Sequence, residues 1–199
     1  MAAVCACSAF NQTLAPHPNF FSLEGDAAAI KALPPARAVP PTAPTLAVTP
    51  PYATAGFDSQ RMMYVRHAQT LEYFAHNEWI DTPSRMLAPL IVASAERSGA
   101  FRAVVPVPST ASGDLRLDTQ VRMLQQEFLG TPSRVRFMLR AYIVDNATRR
   151  VLASREFEAV VPAPTEDAQG GALAAHQAVR AVLEDLAAFC ALTVQAWRP

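Results

Sequence analysis

A chain of 199 residues, 51% of them hydrophobic and 17% charged, has apolar material for one domain with a real core, and is neither long enough for two comfortable domains nor polar enough for disorder throughout. Its 17 Lys+Arg against 17 Asp+Glu give a formal net charge of +0, which argues against nucleic acid as a partner. None of the 7 glycines falls into a G-x-G-x-x-G or G-x-x-x-x-G-K spacing, so the two phosphate-cradling loops of dinucleotide and NTP enzymes are missing.

The first residues carry the string Val4-Cys5-Ala6-Cys7-Ser8. It has the shape of the end of a bacterial lipoprotein signal, in which an aliphatic residue and a small residue precede the cysteine that becomes lipidated. Cys7 fits that place better than Cys5, because Ala6 is small and Val4 is not. The charged and apolar stretch that should come before it is not in the sequence. Either Met1 lies inside a longer signal or the likeness is accidental, and these residues leave both open. More than half of the 17 prolines lie before Tyr52, and residues 31–51 read KALPPARAVPPTAPTLAVTPP, a semi-extended linker with little to anchor a core. The folded domain is expected to begin near residues 45–52. The chain therefore divides into 1–44, a lipobox-like terminus with a Pro/Ala-rich tether, and 45–199, a single domain.

Residues 62–65 and 71–75 read as short strands around a turn at 66–70, with Leu71, Tyr73 and Ala75 on one side. A helix starts at Thr82-Pro83, a cap followed by a proline suited to the first helical position. Met86, Leu87, Leu90 and Ile91 form its buried stripe, Pro89 should kink it and Gly99 ends it. Residues 101–107 make an apolar strand that Pro106 and Pro108 assign to an edge. From Asp114 the alternation of Leu115, Leu117, Thr119, Val121 and Met123 with Arg116, Asp118, Gln120 and Arg122 marks a strand with one wet face, and a phase break predicts a bulge at 124–126. Val135, Phe137, Leu139, Ala141 and Ile143 share one side of the next strand, with Arg134, Arg136 and Arg140 on the other. A turn at 145–148 returns the chain through Val151, Ala153, Phe157, Ala159 and Val161, which brings Glu156 and Glu158 across from the arginines. After a loop over 162–171, a helix from 172 to about 192 buries Val179, Val182, Leu183, Leu186, Phe189 and Cys190. The fold class is α+β: a mainly antiparallel β-sheet with two helices packed on one face.

Little of this points to catalysis. His67, Glu72, His76, Glu78 and Asp81 are the densest group of possible ligands, but no H-x-H, H-E-x-x-H or C-x-x-C accompanies them, and solvated residues on a sheet face explain them better than a metal does. Asp58, Ser59 and a histidine could be written as a triad, yet Ser59 lacks the G-x-S-x-G turn that exposes a nucleophile. The arginine row is expected to be neutralised by neighbouring strands. No cofactor or metal is expected. With three cysteines, Cys5, Cys7 and Cys190, there is no disulfide framework, and Cys190 on its apolar stripe reads as a buried thiol. The longest apolar run, residues 86–95, is about half the ~20 residues a membrane-spanning helix needs. Tyr64, Tyr73, Phe74 and Trp79 crowd one hairpin with more aromatic surface than one side can hide, so the partner-binding candidates are Tyr64, Glu72, Tyr73 and Trp79.

The ordered set Phe20-Phe21-Ser22-Leu23, Gly56-Phe57-Asp58-Ser59-Gln60-Arg61-Met62-Met63-Tyr64, Leu71-Glu72-Tyr73-Phe74-Ala75 with Glu78-Trp79, Asp81-Thr82-Pro83-Ser84-Arg85-Met86-Leu87, Gly113-Asp114-Leu115-Arg116-Leu117 and Gln125-Gln126-Glu127-Phe128 resembles the ABC-type transport auxiliary lipoproteins, the family of the lipoprotein component of Pqi and MCE lipid transport systems. The likeness runs from about Phe20 to Phe189. It implies a non-enzymatic lipoprotein on the periplasmic face of the outer membrane, reached through a signal upstream of Met1. The implied partners are an MCE-domain protein and an ABC permease and ATPase, with phospholipid as a possible ligand and a homo-oligomer as a possible assembly. The family's lipidated cysteine maps onto Cys7, with Cys5 as the fallback. The alternative is a soluble periplasmic adaptor with no direct lipid role.

Overall fold

The computed structural model describes residues 17–23, 39 and 41–198. In chain order the elements are β1 (Asn19–Phe21), β2 (Thr45–Val48), β3 (Tyr52–Ala53), β4 (Arg61–Val65), β5 (Leu71–Trp79), α1 (Pro83–Arg97), β6 (Ala103–Pro106), β7 (Leu115–Glu127), β8 (Arg134–Asp145), β9 (Val151–Pro162) and α2 (Ala168–Ala196).

β7 organises the sheet because both of its edges are used. Along one edge it pairs antiparallel with β8, from Leu115 opposite Asp145 to Glu127 opposite Arg134, and β8 pairs in the same sense with β9. Along the other edge three short strands dock in succession, all parallel: β2 beside Leu115 to Leu117, β3 beside Gln120 and Val121, and β4 beside Gln125 to Glu127. β6 extends β2, β5 extends β4 as a hairpin, and β1 adds to β5 in parallel. The sheet is mixed, with its long strands antiparallel as the alternation predicts. β6 pairs with β2 alone, which places Pro106 on an edge where its missing N–H does no harm.

Both helices lie on one face of the sheet. The inward residues of β7 and β8, namely Leu115, Leu117, Val121, Phe137, Leu139, Ala141 and Ile143, are fully buried, and the stripe Val179, Val182, Leu183, Leu186, Phe189 and Cys190 meets them from α2. The helices also fasten to each other, since the buried Ser94 hydroxyl donates to the Leu183 carbonyl at 2.6 Å. Cys190 is a free thiol, and burial pushes its pKa up to about 12. Among the described residues no helix is long and apolar enough to cross a membrane.

Several expectations are corrected. The β7 register shift falls between Val121 and Met123 rather than at 124–126, so Met123 leaves the core side while Leu124 and Gln126 are buried. A second shift between Ile143 and Val144 turns Val151 out to 58% exposure. Thr82 occupies the N-cap of α1, but its side chain makes no capping bond. α2 begins at Ala168, before the expected 172, because Asp167 caps it: the carboxylate accepts the Gly170 N–H at 2.8 Å.

β2 begins at Thr45 with Leu46, Ala47 and Val48 buried, and ahead of it β1 pairs with β5 and Leu23 is fully buried. Cys5 and Cys7 lie outside the described residues.

The start of α2 supplies a first prediction. A Cβ on Gly171 would overlap the Gln126 amide oxygen and sit 2.9 Å from its Cδ, while Gln126 is buried and bonded to Ser133 Oγ at 2.9 Å. Gly171→Ala should therefore lower the urea-unfolding free energy by about 1–3 kcal/mol through overpacking; a neutral result would show that Gln126 moves freely.

Candidate docking surface on the β4–β5 hairpin

The aromatic residues of the hairpin divide between its two faces. Tyr64 stands opposite Glu72 in the register, and its ring contacts Phe74 at 4.6 Å and Phe128 at 5.7 Å between centroids. Phe128 follows the last residue of β7, where its N–H bonds the Val65 carbonyl at 2.8 Å. Met62 and Phe74 line a slot with Gly171 and Ala175 of α2, so this aromatic cluster lies on the helix-bearing face, at the start of α2. All three rings are half-buried, and Leu129, next in sequence to Phe128, is 54% exposed. The result is an apolar patch of the kind that interface cores favour.

Glu72 fixes the rim of this patch. It accepts the Tyr64 hydroxyl at 3.1 Å and Arg66 Nε at 3.1 Å, and forms an ion pair with the Arg66 guanidinium. The Arg66 hydrogen bonds hold its carboxyl below the ordinary range, against burial and with help from Tyr64. The Tyr64 hydroxyl is raised, first by burial and then by the bond to Glu72. A pinned tyrosine ring presents apolar area with little rotamer freedom left to lose on binding.

Tyr73 occupies the opposite face, 48% exposed, with the Arg61 guanidinium 4.1 Å from its ring centroid. Trp79 is a correction. It is 3% exposed and belongs to the core, because the irregular β4–β5 register between Arg61 and Met63 breaks the alternation of β5. It cannot serve as a surface anchor. Phe128 and Arg66, which the sequence reading left out, belong to the patch. The clue to Phe128 was the β7 phase break, which carries even-numbered residues to the helix side.

The other candidates are dispersed. His67, His76 and Asp58 are exposed, the Ser59 hydroxyl accepts the Arg61 N–H at 3.4 Å, and among the described residues no three His, Cys, Asp or Glu side chains group as a metal site would. Two members of the arginine row are paired as expected: Arg136 with Glu127 at 2.7 Å and with Glu158, and Arg140 with Glu156 at 3.7 Å. Burial alone would raise the Glu127 carboxyl, but hydrogen bonds from Arg136 and Gln125 outweigh it and hold it below its ordinary 4.5. Because that pKa is depressed on folding, its stabilisation is present above about pH 4.5 and is lost as pH falls through the folded value. The acid side of a melting-temperature profile should flatten in Glu127→Gln; an unchanged acid limb would show that other carboxylates carry it.

The slot behind the patch, lined by Met62, Phe74, Trp79, Leu124, Val135 and Gly171 among others, has a volume of about 10 Å³. That is room for one water-sized group.

The family model for the ABC-type transport auxiliary lipoprotein component matches residues 29–187. The chain belongs to that family. No curated protein matches the sequence. Among solved structures, protein XCC0632 from Xanthomonas campestris is 25% identical, with a TM-score of 0.70 over 80% of this chain and 92% of that one. A structure described as an uncharacterized protein has a TM-score of 0.64 at 11% identity, over 90% of this chain and 99% of that one, and shows the fold alone.

The residues that mark this auxiliary lipoprotein largely hold its frame. Asp114 Oδ2 accepts the Thr45 N–H at 2.8 Å, and a Cβ on Gly113 would sit 2.7 Å from the Ala47 nitrogen, so the Gly-Asp pair fastens β2 against β7. Gln60 accepts the Trp79 N–H through its carbonyl at 2.7 Å and donates from Nε2 to the Ile80 carbonyl at 2.9 Å, which closes the base of the hairpin. Asp81 and Arg85 pair across the first turn of α1 at 3.3 Å. By its description the family is one of lipoproteins that are auxiliary components of ABC-type transport.

Proposed function

We propose that this auxiliary lipoprotein is lipidated at Cys7, faces the periplasm from the outer membrane, and serves an MCE-type ABC system that moves phospholipid between the two membranes. It acts without catalysis, as the docking subunit for the MCE-domain protein, through the patch of Tyr64, Phe74, Phe128 and Leu129 with Glu72 at its rim. The family match over residues 29–187 carries the reading. The alternative is a soluble adaptor with no direct lipid role: the slot of about 10 Å³ behind the patch is far too small for an acyl chain, whereas an open, more polar cleft of about 490 Å³ lies between β1 and the start of α2.

Two measurements test the reading. Mass spectrometry of protein made with an export signal should show a lipid adduct at Cys7, and bare Cys7 and Cys5 would contradict it. Tyr64→Ser with Leu129→Ser should weaken capture of the MCE protein by about 2 kcal/mol, roughly 30-fold, if either is an anchor. Circular dichroism controls for folding. Full capture by a folded double variant would move the docking surface elsewhere.

A further inference from the structure

β1 lies at one end of the strand path β1–β5–β4–β7–β8–β9, and it is firmly held there. Asn19 to Phe21 run beside Asn77 to Trp79, the Asn19 side chain donates to the Asn77 carboxamide oxygen at 3.1 Å, the Ile80 N–H bonds the Phe21 carbonyl at 2.8 Å, and Leu23 is fully buried just beyond. Between Cys7 and this clip stand only residues 8–18, eleven in number. Eleven residues reach at most about 40 Å when extended, and about 20 Å on average as a flexible chain. β9 lies five strand steps from β1, roughly 24 Å farther at the usual strand spacing.

The surface at that edge has a matching chemistry. Phe20, 58% exposed, stands beside Glu78; Glu78 stands opposite Arg61; and Arg61 stacks on Tyr73, 48% exposed. Aligned partners on neighbouring strands point to the same side, so these four form one row on the face away from the helices. Ile80, next to the clip, is 59% exposed. Aromatic rings with an adjacent arginine suit the boundary between headgroups and acyl chains, where rings bury their apolar bodies and the guanidinium meets phosphate.

We propose that the β1–β5 edge is the membrane-facing edge of the domain, with Phe20, Tyr73 and Arg61 seated on the lipid surface. This inference rests on attachment at Cys7. It leaves the Tyr64–Phe74–Phe128 patch free on the other face of the hairpin for the MCE protein. In this arrangement β1 works as an orienting clip, not as part of a loose tether.

The test uses the full chain coupled chemically, so that the geometry is read whether or not cells lipidate Cys7. A Cys5→Ser chain is attached through Cys7 to maleimide-bearing vesicles of phosphatidylethanolamine with a minority of phosphatidylglycerol; the buried Cys190, its thiol held at about 12, does not compete. A donor dye is clicked onto an azide-bearing residue placed at the exposed His76 of β5 in one sample and at Ser154 of β9 in another, and energy transfer to an acceptor lipid is measured. Transfer should be at least about twofold higher from position 76, given the ~24 Å difference, and Phe20→Ser with Tyr73→Ser should bring the ratio toward one while circular dichroism stays unchanged. Equal or reversed transfer would overturn the proposal, and so would a ratio that the double substitution leaves intact in a folded protein.

Discussion

Phe137→Ala should lower the unfolding free energy by about 3–5 kcal/mol, a large share of the 5–15 kcal/mol that holds most domains together. Phe137 is fully buried at the centre of β8, paired with Leu124 on one side and Ala159 on the other, so strands flank it on both sides and the helices cover its face. The cavity left by the ring cannot collapse without moving β7 or α2. Urea titration should show the midpoint shifted with the slope unchanged. A loss below about 1 kcal/mol would mean that the site repacks and that the β7–β8 pair is less rigid than its register implies.

Leu23→Ala should cost about 2–5 kcal/mol by the same reasoning, although the residue lies ahead of the proline-rich stretch in what reads as a tether. Its side chain is 0% exposed and belongs to the main core. Deleting residues 1–44 removes it together with β1, whose loss leaves the edge of β5 unpaired beside the buried Trp79. That truncated protein should unfold at clearly lower urea, whereas deletion of residues 1–16 should change little. If the 45–199 fragment were as stable as the whole chain, the clip would be an ornament and the domain would begin where proline density falls.

The parts of the fold that were legible in the sequence are those with long periodicity. β8 repeats its apolar residues every second position from Val135 to Ile143, and α2 repeats its stripe from Val179 to Cys190, so side-chain geometry alone assigns both. β1, β3 and β6, with two to four residues each, are too short to show a period, and their place in the sheet comes from hydrogen bonds to partners far along the chain. The start of α2 was hidden by Gly170 and Gly171, which look like loop; the signal lay in Asp167, three residues before Gly170, as a cap.

The hairpin site was half legible for a related reason. Its aromatic excess was plain in the composition, and Tyr64 with Glu72 lies where the patch forms. Which rings face out depended on the register shift between Arg61 and Met63, a tertiary feature with no local sequence mark. It buries Trp79, whereas ordinary alternation puts Tyr73 on the far side from Tyr64. Phe128 joins the patch only because the β7 shift at Val121 and Met123 resets the phase of the strand's last residues.

Site-directed photocrosslinking in the native envelope tests the docking role most directly. A photoreactive residue at Leu129, exposed and next in sequence to Phe128 of the aromatic patch, is compared with one at Arg180, on the outer face of α2 and paired with Glu184. The proposed role predicts an adduct with the MCE-domain protein from position 129 and none from 180. An MCE adduct from 180 but not from 129 would contradict it.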